Sequence, residues 1–200
     1  MARTASKSSA TLRAFISIEP PDDLRTQIAA LQKSLDKELK SDFVKWTKPE
    51  QIHLTLRFIG EMPEADAKKV LTGMRKACKE FKPFHLHLGG LGAFPDIQRP
   101  SILWTGVSGD VDNLKNLVHQ INHEISGVVG MPELQQYIPH LTIGRVKELP
   151  TAKLKRLTAA CAANPIHLHG CVDVKSVKLM KSVLGKAGAV HTAIGNVKLG

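Results

Sequence analysis

A short pattern that occurs twice constrains this chain more than any other feature. Ile52-His53-Leu54-Thr55-Leu56-Arg57-Phe58 in the first half is echoed by Pro139-His140-Leu141-Thr142-Ile143-Gly144-Arg145 in the second. In each copy apolar and polar residues alternate, the period of a β-strand with one face in a core. Histidine and threonine, two positions apart, then project from the same face, whereas on a helix they would diverge by about 200°. One His-x-Thr strand is an ordinary surface feature. Two in the same apolar frame predict a duplicated unit that presents matched side chains. Leu54, Leu56, Phe58, Leu141 and Ile143 are expected in the core, with His53, Thr55, His140 and Thr142 converging on one cleft.

The rest of the chain supports a duplication. A strand at Leu12 to Ile18 ends at Pro20-Pro21, and Asp22-Asp23 opens a helix to about Lys40 with Leu24, Ile28, Leu31, Leu35 and Leu39 on one face. Phe43 to Thr47 is a short extended piece, Lys48-Pro49-Glu50 a turn, and Gly60 the end of the first motif strand. Glu61 to Glu80 contains a second amphipathic helix with Pro63 near its first turn. Phe84 to Leu88 alternates as a strand, and Gly89-Gly90-Leu91-Gly92 reads as a bulge or continuation.

Ile102 to Val107 is the next strand, and Asp110 to Gly127 a third helix. After the second motif strand come a helix at Lys153 to Ala163, a strand at Ile166 to Val172, and a hairpin pairing Val174 to Leu184 with Val190 to Leu199. Both halves thus read strand, helix, motif strand, helix, strand, and Phe84-His85-Leu86-His87 mirrors Ile166-His167-Leu168-His169. The expected fold is α+β: two pseudo-symmetric lobes, each an antiparallel sheet with helices on its outer face, and a central cleft between them. Residues 1–11 read as a disordered basic tail, without the apolar core of a secretory signal, and 12–200 as a single bilobal domain.

The 200 residues suffice for a buried core, and no run of about 18 apolar residues suggests a membrane span. Cys78, Cys161 and Cys171 are odd in number and lack C-x-x-C spacing, which favours a reducing, cytoplasmic setting over a disulfide framework or zinc ribbon. With 28 Lys and Arg against 18 Asp and Glu, the net charge of +10 favours a polyanionic partner such as nucleic acid.

Two histidines across a cleft suit substitution at phosphorus. Incoming and leaving oxygens lie on opposite sides, so a proton is removed at one point and donated at another. A pKa near 6.5 allows one imidazole to be neutral and the other cationic. Thr55 and Thr142 offer hydroxyls to the non-bridging oxygens. The scheme requires no metal.

Those paired strands resemble the 2H phosphoesterase superfamily. More narrowly, WTKPEQIHLTLRFIGE (46–61), LGGLGAFP (88–95), ILWTGV (102–107) and PHLTIGRV (139–146) resemble the RNA 2′,3′-cyclic phosphodiesterases, also called 2′-5′ RNA ligases. The resemblance implies hydrolysis of an RNA 2′,3′-cyclic phosphate to a 2′-phosphate with no cofactor, with His53 as proton donor to O3′ and His140 as proton acceptor from water. Thr55 and Thr142 match that family's phosphate-binding threonines. The implied partner is RNA with a cyclic phosphate end, tRNA and small nucleotides included, met by a monomer.

Strict alternation puts Arg57 on the cleft face, and the match of Arg145 to the second motif implies a break at Gly144 that turns it inward. Tyr137 is placed either to stack on a base or to pack in the core. Trp46 and Trp104 are assigned to the core. His119 and His123, spaced i, i+4, could ligate zinc but lack a third ligand, and His85, His87, His167 and His169 read as open sheet face. The alternatives are 2′-5′ ligation at the same site, a non-catalytic module binding RNA ends, and a metal hydrolase built on His119 and His123.

Overall fold

A computed structural model describes residues 10–39, 43–132, 136–147, 150–163, 168–185 and 188–200. Along the chain lie β1 (Thr11–Ile18), α1 (Asp22–Leu39), β2 (Val44–Trp46), β3 (Leu54–Pro63), α2 (Ala67–Lys79), β4 (Phe84–Phe94), β5 (Ile102–Gly109), α3 (Val111–Val129), β6 (His140–Val146), α4 (Thr151–Ala163), β7 (Val172–Val174), β8 (Ser176–Gly185) and β9 (Gly188–Lys198). Every strand pairing is antiparallel. The strands follow one another as β7-β4-β5-β6-β3-β1-β8-β9, with β2 added on β6.

The two lobes are the two ends of this one path. They meet where β3 pairs β6, and the register there is a single pair, Leu54 with Leu141. Each is the residue between the His and Thr of its motif, so the pseudo-symmetry centre of the sequence is also the seam of the sheet. Reading outward from the seam gives β3-β1-β8-β9 on one side and β6-β5-β4-β7 on the other.

The lobes are therefore not the two halves of the chain. The strand that ends the first sequence repeat, β4, crosses to pair with β5, and β8 returns to pair with β1. By sheet position the counterpart of β4 is β8, not the Ile166–His169 stretch that resembles it in sequence. Of that stretch, 166–167 lies outside the described residues and Leu168–His169 is not in a strand.

Two other boundaries differ from the alternation pattern. Gly60 does not end β3, because β1 stays paired through Thr11 with Pro63. Gly60 has φ 80°, a left-handed conformation cheap only for glycine, and sits at a register shift. Pro63 at φ −58°, ψ 133° is extended, so α2 starts only at Ala67 after a 3₁₀ turn at Glu64–Asp66.

One apolar cluster runs through the described chain. It joins Leu24, Ile28, Leu35 and Leu39 of α1, Val70, Met74 and Ala77 of α2 and Leu114, Leu117, Ile121 and Ile125 of α3 to Leu54, Leu56, Leu141 and Ile143 of the motif strands. Burying each Val, Leu, Ile or Met side chain among these contributes about 1.5–3 kcal/mol. The helices α2 and α3 pack together beside β9 and β3, and α1 packs on α4. The polar face of the motif strands is left uncovered.

Gly92 shows how tightly the second lobe is built: a Cβ there would lie 2.2 Å from the Trp104 ring. Gly92→Ala is expected to lower stability by about 1–3 kcal/mol through overpacking. Gly127→Ala, in α3 with nothing within 4 Å of the added Cβ, is expected to raise it by about 0.5–1 kcal/mol. Denaturant unfolding of the two variants beside the parent checks both signs.

Candidate active site

A cleft of about 450 Å³ opens on the uncovered face, and His53, Thr55, His140 and Thr142 all line it. Continuing the Leu54–Leu141 register sets His53 opposite Thr142 and Thr55 opposite His140. Directly opposed residues on antiparallel strands have Cβ atoms about 4.5–5.5 Å apart, and diagonal neighbours stand about 7–8 Å apart. By that register the two imidazoles are diagonal neighbours, and both line the one cleft.

Each imidazole is oriented by the same device. His53 Nδ1 lies 2.7 Å from the carbonyl oxygen of Gln51, and His140 Nδ1 lies 2.8 Å from that of Ile138. A carbonyl only accepts, so Nδ1 donates in both rings and Nε2 is the nitrogen left for chemistry. Aromatic rings flank each histidine. Phe15 stacks on His53 at 4.7 Å and His191 meets it edge-on at 5.3 Å. Phe94 meets His140 edge-on at 4.8 Å, with Trp104 at 6.1 Å.

The electrostatics are less symmetric. Burial, with smaller contributions from His191 and Arg25, lowers the His53 pKa to about 4 against the pull of its Gln51 hydrogen bond and Glu19. His53 is thus neutral near pH 7. Arg13, Lys45, Lys48 and Arg145 also line the cleft, and among the described lining residues there is no Asp, Glu or Cys. Such a lining attracts an anion and offers a hard divalent cation no carboxylate.

The arginine expectations resolve through a pair of bulges. Ser17 pairs Thr55 while Ile16 pairs Arg57, so Leu56 has no partner on β1. Trp104 pairs Thr142 while Leu103 pairs Gly144, so Ile143 has no partner on β5. An extra residue reverses the alternation that follows it. Arg57 consequently leaves the cleft and donates to the Gly130 carbonyl at 3.3 Å, and Phe58 takes the cleft position, 68% exposed rather than buried. In β6 the same shift brings Arg145 into the lining, with the break at Ile143 instead of Gly144. Gly144 serves packing, since a Cβ there would sit 2.8 Å from Val44 Cγ1.

Tyr137 does not line the cleft. Its hydroxyl donates to the Thr55 carbonyl at 3.0 Å, and burial pushes the phenol well up. It braces the approach to β6 against β3. Trp104 is half-buried, and Trp46 is too, lining the cleft with Nε1 donating to Asp36 at 2.9 Å.

His119 and His123 are exposed on α3. The His/Cys/Asp group with donor atoms close enough to share an ion, among the described residues, is His85, Cys171 and Asp173, within 4.8 Å of one another. It is already satisfied internally: Asp173 accepts from His85 at 2.8 Å, from Cys171 at 3.4 Å and from Lys175 at 3.1 Å. Sequence reasoning missed Arg13, Ser182 and His191 in the cleft, because only the pairing of β1, β8 and β9 brings them beside the motifs.

The model of the family described as LigT like Phosphoesterase matches the chain in two stretches, residues 18–104 and 106–191. The RNA 2′,3′-cyclic phosphodiesterase of Aeropyrum pernix is 34% identical over 159 residues, covering 78% of this chain and 86% of that protein. The protein of the same name from Aquifex aeolicus is 28% identical over 191 residues, covering 94% and 98%. The crystal structure of TT0787 from Thermus thermophilus superposes with a TM-score of 0.76 at 24% identity, covering 94% of this chain and 98% of that one.

The depressed His53 pKa has a measurable consequence. The unfolded chain, with a histidine pKa near 6.5, binds a proton that the folded chain refuses until about pH 4. Its contribution to stability is therefore complete above about pH 6.5 and is lost as the pH falls toward 4. Ring-proton NMR titration is expected to place the His53 midpoint near 4, and His53→Gln to flatten the stability profile over that interval.

Proposed function

Because the chain belongs to the LigT-like phosphoesterase family, we propose that its cleft hydrolyses RNA 2′,3′-cyclic phosphate ends to 2′-phosphomonoesters by two-histidine acid–base catalysis without a metal ion. The observation that carries this reading is the matched orientation of the imidazoles. Both give Nδ1 to a carbonyl two residues upstream and keep Nε2 for a cationic, carboxylate-free cleft. The names of the two relatives point to the same substrate.

In this reading the cyclic phosphate sits between the rings. His140 Nε2 takes a proton from water as the water oxygen bonds to phosphorus, and protonated His53 Nε2 gives its proton to O3′ as the P–O3′ bond breaks. The phosphate stays on O2′, and proton exchange with solvent resets the pair. The Thr55 and Thr142 hydroxyls donate to the non-bridging oxygens, each across the seam from the other motif's histidine. Arg145 adds a guanidinium on the His140 side.

His53 by itself is neutral near pH 7, so its role as donor relies on the substrate. A phosphodiester anion brought within a few ångströms favours the imidazolium and raises its pKa. The place after each bulge then breaks the symmetry. Phe58 offers an apolar ring on one wall and Arg145 a cation on the other, which orients the ribose and selects the leaving oxygen.

The test is hydrolysis of an oligonucleotide ending in a 2′,3′-cyclic phosphate, with a chelator present. A 2′-phosphate product is expected. A dominant 3′-phosphate would exchange the two histidine roles, and activity abolished by the chelator would end the metal-free scheme. His53→Ala and His140→Ala should each reduce kcat by about 10²–10⁴-fold with little change in binding. Because bound phosphate charges His53, the alkaline limb of kcat is expected at higher pH than that of kcat/KM; coincident limbs would contradict this.

A further inference from the structure

A row of side chains on the His53 wall has no part in the two-histidine scheme. Arg13 of β1 is in register with Ser182 of β8, and Ser182 with His191 of β9, and all three line the cleft. Adjacent strands are about 4.8 Å apart, so the row spans about 10 Å. It begins beside the catalytic ring, the His191 and His53 centroids being 5.3 Å apart.

The row presents donors with nothing among the described residues to receive them. Among the described residues Arg13 forms no ion pair, although Glu61 lies opposite it on β3. His191 Nδ1 is buried without a hydrogen-bond partner among the described residues, and burial lowers the pKa of the ring. A buried acceptor without a partner is tolerated better than a buried N–H. The neutral ring therefore carries its proton on Nε2, the nitrogen left to the cleft. A guanidinium, a hydroxyl and an imidazole N–H then face the same space, a donor set suited to phosphate oxygens.

We propose that Arg13, Ser182 and His191 form a second phosphate subsite, which takes the internucleotide phosphate immediately 5′ of the cyclic end and makes an oligonucleotide the better substrate. This rests on the reading of the cleft given above. The direction follows from ribose chemistry. The strand continues from O3′ through C3′, C4′, C5′ and O5′ to the next phosphorus, so that phosphorus lies on the O3′ side of the sugar. With O3′ beside His53, the strand leaves along the wall that carries the row. The cations of the opposite wall, Lys45, Lys48 and Arg145, stand on the side of the attacking water.

Three substrates separate this from the parent reading: a nucleoside 2′,3′-cyclic phosphate, a dinucleotide ending in the same nucleotide, and that dinucleotide with a neutral methylphosphonate linkage. The native protein is expected to prefer the phosphate-linked dinucleotide over the methylphosphonate by about tenfold or more in kcat/KM, the scale of one charge-assisted hydrogen bond. Arg13→Gln is expected to shrink that ratio toward unity. Equal rates on both dinucleotides, or a ratio unchanged in Arg13→Gln, would overturn the subsite while leaving the hydrolase standing. Inactivity on all three would overturn the reading of the cleft and the subsite with it.

Discussion

The site depends on one pairing, Leu54 against Leu141, where two halves of a single sheet meet. Both leucines are buried, so the seam is anchored in the shared core. On the other face the same pairing sets His53 beside Thr142 and Thr55 beside His140. A slip of one residue would exchange the buried leucines for the cleft residues. Burial of two apolar side chains thus fixes the relative position of two imidazoles, and the Tyr137 hydroxyl bound to the Thr55 carbonyl reinforces the joint.

The crossing of β4 and β8 between lobes knits the two repeats together around that seam. If each sequence repeat formed its own lobe, only the seam itself would join them. Instead each lobe contains strands from both repeats: β4 pairs with β5 in one, and in the other β1 at the start of the chain is held by β8 near the finish. The aromatic flanks of the histidines follow from this arrangement. Phe15 and His191 come to His53 from the first and last strands, while Phe94 and Trp104 come to His140 from β4 and β5.

Much of this is legible in the sequence. Period-two alternation with a repeated His-x-Thr identifies the motif strands and their cleft-facing pairs, and helical spacing identifies the buried faces of α1, α2 and α3. Bulges are not legible by the same means. Leu56 and Ile143 look like ordinary core positions, and they are buried; only the partner strand reveals that each is one residue too many. That single unreadable feature exchanges Arg57 for Phe58 on one wall and brings in Arg145 on the other. Strand partners far apart in sequence are equally silent, which is why Arg13, Ser182 and His191 become neighbours only in the fold.

The central claim is that imidazoles from two repeats bracket one phosphorus. A crystal structure with a nucleoside 2′-phosphate bound tests it most directly. The account predicts His53 Nε2 and His140 Nε2 both within about 3.2 Å of oxygens of the same nucleotide, the first at O3′ and the second at the phosphate. The Thr55 and Thr142 hydroxyls should lie on the remaining phosphate oxygens. A phosphate held by one imidazole alone, or seated away from the Leu54–Leu141 seam, would contradict it.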